Sequence, residues 1–238
     1  MKAQSRLCVI SFALVALTSV NAADTPAPKQ SPAGAEALAP INLTLPPPFF
    51  GGTPLNYENE HFEGRIYTLR PPFLAPAGAA LLSQGKALTS SAPPVYGKLS
   101  MLTDGEKGHQ QDFLTELPAG TQWVQVDLGQ ACAIYAVLCW HFHAADRVYF
   151  DVAIRTADDE AFTKNIQTIY NNDYDNSSGL GIGKDKEYID TNEGRLVATY
   201  KDGKALTGRY VRFYSKGNTT DDANHYVEVE VWGRAIAK

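Results

Sequence analysis

Cysteine is scarce, with three residues in a chain of 238. Cys8 lies in the extreme N-terminus, which leaves Cys132 and Cys139 in the stretch ACAIYAVLCW. In a regular extended strand residues seven apart fall on opposite faces and about 23 Å from each other, at ~3.3 Å per residue. A disulfide needs Cα atoms within about 7 Å. The expectation is therefore two free thiols buried as small hydrophobes, and a disulfide-stapled scaffold is excluded. Long apolar runs are equally absent after the first two dozen residues, since nothing approaches the ~20 consecutive apolar positions that a membrane-spanning helix requires. No later stretch sustains a 3.6-residue period, which excludes a helical bundle. A surplus of positive charge is lacking too. The chain has 21 basic and 26 acidic residues, a formal net charge of −5, so neither nucleic acid nor an anionic membrane surface is an expected partner. There is no G-x-S-x-G, and Ser177 and Ser178 have no base at a meaningful spacing. The pairs Asp158–Asp159 and Asp221–Asp222 read as solvated turn charges, so no catalysis is expected.

The N-terminus has the pattern of a secretory leader. Lys2 and Arg6 form a positive region, Leu7 to Leu17 an apolar core, and Val20-Asn21-Ala22 a small-residue cleavage site, so residues 1–22 are expected to be removed. Loss of those two cations takes the formal net charge to −7. The product would be secreted, or held in the periplasm or cell envelope, without membrane insertion. Residues 23–48 are dominated by alanine and proline, with too few large apolar side chains to offset ordering entropy, and read as a disordered linker. Residues 49–76 form an extension rich in aromatics but broken by paired glycines and prolines, with no core of their own.

From 77 to 235 the chain is long enough for one domain with a sizeable core. Candidate strands fall at 86–90, 122–128, 133–140, 148–155, 166–170, 196–200, 209–215 and 225–232, separated by Gly, Asn and Asp. Many short strands with such punctuation predict an all-β sandwich or jelly roll. In WVQVDLG, residues 123–129, Val124, Val126 and Leu128 share one face. In NHYVEVEVWG, residues 224–233, Val227, Val229 and Val231 oppose Tyr226, Glu228, Glu230 and Trp232. Taken in order, LTDG at 102–105, WVQVDLG, RYVRFYSKGN at 209–218 and the final EVEVWG resemble the signature strands of the discoidin family. These are also called coagulation factor 5/8 type C domains, and belong to the galactose-binding-like β-sandwiches.

That resemblance implies a structural Ca²⁺ held by an Asp-Gly turn and by a Glu at the start of the last strand, here Asp104 and Glu228. Two carboxylates supplemented by loop carbonyls suit a hard cation that takes six to eight oxygen ligands. A second acidic group lies in NNDYDNSSGLGIGKDKEY, residues 171–188, where Asp173, Asp175 and Ser177 imitate the opening of an EF-hand. Ser178 and Lys184 then stand where that loop requires Gly and Glu. The stretch reads either as a loop satisfying its own backbone through Asn and Asp side chains or as a ligand-contacting or second cation site.

The third constellation is WHFHAADR, residues 140–147. His141 and His143 are two apart and share a face of an extended chain, with Trp140 and Phe142 on the other. Carbohydrate-binding members of the superfamily present an aromatic platform with planar donors from loops at one end of the sandwich. On residue type, Trp140 or Tyr174 would supply the platform, and His141, His143, Arg147, Asn172, Asn224 and His225 the donors. The competing readings are plain structural histidines and a metal site of His141, His143 and His225 with a carboxylate. The sequence thus points to a non-catalytic module that binds a carbohydrate or cell-surface glycan. A protein-interaction or surface-assembly module is the alternative, and a His-based metal enzyme the weakest reading.

Overall fold

Two amphipathic strands expected at 122–128 and 133–140 are one. In the computed structural model, which describes residues 36–49, 57–66 and 68–237, a single 20-residue strand runs from Gln122 to His141. The leader and the first part of the expected linker lie outside the described residues. In chain order the strands are β1 (Leu38–Pro40), β2 (Leu74–Pro76), β3 (Ala80–Leu81), β4 (Leu88–Ser90), β5 (Thr115–Leu117), β6 (Gln122–His141), β7 (Ala153–Ala157), β8 (Gln167–Asn171), β9 (Arg195–Ala198), β10 (Leu206–Ser215) and β11 (Asn224–Ala235). The described helical elements are two short 3-10 turns, Leu99–Thr103 and Gln111–Phe113. Among the described residues no helix is long and apolar enough to cross a membrane.

The first half of β6 pairs with β4 and β10, and β10 continues to β7 and β8. Its second half pairs with β11 and β9. Cys132–Ile134 pair with β10 on one side and β11 on the other, so β6 passes from one layer of the antiparallel sandwich to the next at this point. The core between the layers contains Val124, Val126, Leu128, Ile134, Val137, Ile154, Val211, Phe213, Val229 and Val231. This is the all-β sandwich expected from the alternation, with the side chains of each strand directed in by its period of two.

Two bulges correct the face assignments. The β6–β11 register skips Tyr135, between the pairs Trp232↔Ala136 and Gly233↔Ile134. One extra residue inverts every side chain beyond it. Cys132 and Cys139, expected on opposite faces, accordingly both enter the inner core, buried and unbridged. A second skip at Val227 turns Tyr226 inward and Val227 outward. The sequence period cannot show this, because the extra residue leaves no mark in composition.

The outer face of β11 and the second half of β6 is also buried, by a part of the chain expected to be linker. Residues 36–49 and 73–81 lie across it: β1 pairs with β2, the Ile41 amide donates to Phe73 O at 3.1 Å, and Arg234 pairs with Glu36 at 2.8 Å. Ile41, Ala75, Tyr135, Leu138, Trp140, Val227 and Trp232 form a second apolar cluster there. The few apolar side chains of 36–49 suffice because most of the surface that they bury belongs to the sheet, so local composition underestimates the gain. Farther along, Arg70 donates to the carbonyls of Glu193 and Gly194 at 2.8 Å each, and Arg195 pairs with Glu63 at 2.9 Å.

Candidate functional site

The loops between layers meet at one end of the sandwich. Asn224 Nδ2 donates to Pro118 O (2.8 Å) and Gly120 O (3.0 Å), while its Oδ1 accepts from Ser215 Oγ and the Gly217 amide. Thr121 Oγ1 lies 3.0 Å from Ser178 Oγ, and Ser177 and Ser178 both donate to Asp151 Oδ2. Across this end the register sets Tyr96 opposite Glu116 and Glu116 opposite His225. Directly opposed residues project from the same face, which gives one row of three side chains. Phe142 extends the row, its ring 6.2 Å from that of His225, and the Arg147 guanidinium lies 5.4 Å over Phe142.

The hydrogen bonds define the tautomer of His225. Its Nδ1 accepts from the Tyr149 hydroxyl at 3.1 Å and from Arg147 Nη1 at 3.4 Å. The ring proton therefore sits on Nε2, which faces Glu116 Oε2 at 3.4 Å. Burial lowers the imidazole below its ordinary value, with Arg147 acting in the same direction and Asp221 and Glu116 against it. Arg147 Nη1 also meets Asp221 Oδ2 at 3.1 Å and Asn218 Oδ1 at 3.5 Å. Tyr96 is 41% exposed, and its hydroxyl donates to Asp112 Oδ1 at 3.4 Å.

Of the eight residues proposed as ligand contacts, Arg147 and His225 join this row. Trp140 does not. It is fully buried, its Nε1 donates to Asn192 O at 3.0 Å, and the Lys107 ammonium lies 5.0 Å from its ring, so no face is free for a sugar. His141 is buried against Asp190 at 3.3 Å and stacked on Tyr149, while His143 meets Lys107 O at 3.1 Å. Asn172 is buried, and Asn224 holds the loops together from inside. Tyr174, 40% exposed, stacks on His61 with ring centroids 3.8 Å apart. Trp140 faces the N-terminal covering layer, whereas His141 turns into the inner core between Tyr149 and Tyr226. With each histidine held by different partners, the three do not converge as metal ligands.

In the 171–188 loop the self-satisfying reading matches the geometry. Asp173 accepts from the Ser177 and Ser178 amides, Asp175 from the Ser177 amide, and Asn176 from the Gly181 amide. The Asp151, Asp173 and Asp175 carboxylates approach within 4.8 Å, and Lys216 supplies a cation 3.6 Å from Asp151.

Asp104 closes the first 3-10 turn and its Oδ1 accepts from the Glu106 amide at 2.9 Å. Glu228 is 1% exposed, and neither carboxylate oxygen has a hydrogen-bond partner of good geometry among the described residues. Burial, then Glu230 and Asp104, push its carboxyl up to about 9, while the nearby Gly105 amide and Lys107 act in the opposite direction. Glu230 differs, because it is paired with Lys107 at 2.5 Å. A buried acid with two unused oxygens beside a second carboxylate fits the donor set of a hard cation.

No protein-family model matches the chain, and no curated protein matches it. Solved structures do. The CBM32 of AlyQ in complex with 4,5-unsaturated mannuronic acid is similar at 21% identity and a TM-score of 0.44, over 61% of this chain and 92% of that one. The chitosan-binding module 1 of a chitosanase/glucanase from a Paenibacillus species gives 22% and 0.42, over 65% and 99%. The family 32 CBM from C. perfringens NanJ in complex with galactose gives 10% and 0.45, over 65% and 98%. Two of the three are named as CBMs and one as a chitosan-binding module.

Proposed function

We propose that the chain is an exported, non-catalytic carbohydrate-binding module whose sugar-contact surface is the row Tyr96–Glu116–His225–Phe142 with Arg147. The row itself carries this reading. It combines an exposed ring, a carboxylate, an imidazole of one defined tautomer and a guanidinium; strand pairing holds Tyr96, Glu116 and His225, Tyr149 also holds His225, and Asp221 and Asn218 hold Arg147. A sugar needs such a set, because its C–H face stacks on a ring while its hydroxyls require oriented donors and acceptors. Export rests on the leader pattern of residues 1–22. Affinity electrophoresis and calorimetry against neutral, acidic and amino-sugar oligomers test the proposal. Arg147→Ala removes charge-assisted bonds of ~1.5–3 kcal/mol and should weaken binding at least about tenfold, with the urea midpoint showing that the variant still folds. A folded Arg147→Ala protein with unchanged affinity would move the ligand away from this end.

The second part of the proposal is a structural Ca²⁺ on Asp104 and Glu228, supported by the unused Glu228 oxygens. Calcium at about 100 times its dissociation constant adds ~2.7 kcal/mol, which for a domain of this size raises Tm by about 5–10 °C. Glu228→Gln should abolish that rise without lowering the metal-free Tm, because the neutral amide resembles the protonated acid. An equal rise in both proteins places the cation elsewhere.

A further inference from the structure

The charges around the row are lopsided. Arg147 directs Nη1 at Asp221, Asn218 and His225, and its side chain is 14% exposed. Glu116 is one-third exposed, and among the described residues its carboxylate faces one side-chain donor, His225 Nε2 at 3.4 Å. Asp112, at the Tyr96 hydroxyl, is exposed, as are Asp221 and Asp222 beyond Arg147. The remaining cation of the Tyr96 loop is Lys98, exposed on its rim. No guanidinium or ammonium lies over the Tyr96 ring among the described residues. The open capacity of the row is thus an acceptor carboxylate beside an accessible aromatic face.

Resting on the carbohydrate-binding reading, we infer that this row selects a sugar bearing a free, protonated amino group. An ammonium offers three donors, forms a charge-assisted bond to Glu116, and is attracted to the face of Tyr96. A uronic acid would set its carboxylate against Glu116 on a rim that also carries the exposed Asp112, Asp221 and Asp222, and like charges across an interface disfavour binding. A neutral sugar can donate a hydroxyl to Glu116 but adds no charge. N-acetylation of the same sugar removes the ammonium and should remove the preference.

The test is calorimetry with the mature chain at about pH 6, where amines are protonated. Its probes are a free-amine glucosamine oligomer, its N-acetylated counterpart, a neutral galactose oligomer, a uronic-acid oligomer and a lysine oligomer of similar charge. The expected result is binding of the free-amine sugar at least about tenfold tighter than each of the others. Glu116→Gln should erase that preference while weaker binding of neutral sugars persists, and Tyr96→Ala should weaken all sugars. Asp202→Asn, in the exposed turn between β9 and β10, is the control for bulk charge and should change nothing.

Tighter or equal binding of the acetylated, neutral or acidic sugar overturns the inference and leaves the carbohydrate reading intact. Equal binding of the lysine oligomer, or an equal loss in Asp202→Asn, reduces the effect to net charge and overturns it too. Failure of every sugar to bind overturns the carbohydrate reading and this inference together.

Discussion

Trp140→Ala should destabilise the protein by ~3–5 kcal/mol, the usual range for removing a large buried aromatic, and leave the sugar affinity of the folded protein unchanged. Three separate supports are lost. The indole fills the second apolar cluster beside Leu138 and Val227, its N–H satisfies Asn192 O, and its ring carries the Lys107 ammonium. The cavity has little freedom to collapse, because Gly194 is already so close that a Cβ there would meet the indole at 2.5 Å. Trp140→Phe keeps most of the volume but leaves the Asn192 carbonyl unsatisfied, and a smaller loss of ~1–3 kcal/mol is expected. Urea unfolding of the three proteins, read with glycan binding below the transition, separates the roles. A stable Trp140→Ala variant that no longer binds sugar would restore Trp140 as a ligand platform.

The sandwich was legible because its strands alternate. Val124, Val126 and Leu128, or Val229 and Val231, need only the period of two to be placed in a core. What alternation could not show is where a strand gains a residue. Tyr135 and Val227 reverse the faces around them, so the two cysteines share a core and Val227 leaves the inner one. Nor could the composition of residues 36–48 reveal a packed segment. Its apolar partners, Tyr135, Leu138 and Trp232, lie about 100 residues or more away, and the stabilising contact is between sequence-distant surfaces.

The site was legible in part for the same reason. Arg147 and His225 stood out by residue type close to strand ends, and register brought them together. Tyr96 and Glu116 carry no such mark. Tyr96 follows SSAPPV, which reads as a turn, and Glu116 lies in a three-residue strand too short to show a period. Their place in the row follows only from the pairing of Glu116 with His225 on β11 and of Tyr96 with Glu116. The converse holds for Trp140, His141 and His143, whose residue types suggested a ligand. Trp140 is buried by a covering layer, His141 by Tyr149 and Tyr226 and His143 beside Lys107, all supplied by residues distant in sequence.

His141 shows what that burial does with a titratable group, and removing its partner should have the second large effect. The imidazole lies between the rings of Tyr149 and Tyr226, with Cys139 Sγ 3.9 Å from Nε2 and Asp190 Oδ2 3.3 Å from Nδ1. Burial alone would lower its value, but the Cys139 and Asp190 interactions outweigh it and raise the ring to about 10. A folded value above the unfolded one of about 6.5 means that the contribution to stability is complete below about pH 6.5. It then declines as the pH rises and is gone above about pH 10. Asp190→Ala leaves a buried cation unpaired and should cost ~3–5 kcal/mol at pH 6, whereas Asp190→Asn, which keeps an acceptor for the His141 amide, should cost less. The variants should also lose most of the wild-type decline between pH 6.5 and 10. Burial pushes Cys139, Tyr149 and Tyr226 upward, and Asp190 adds to the rise of Cys139 and Tyr149. The difference between the wild-type and variant profiles therefore reports Asp190 acting on His141 together with these two neighbours. Parallel profiles would show that His141 is neutral in the folded protein and that Asp190 acts only as an acceptor for its backbone.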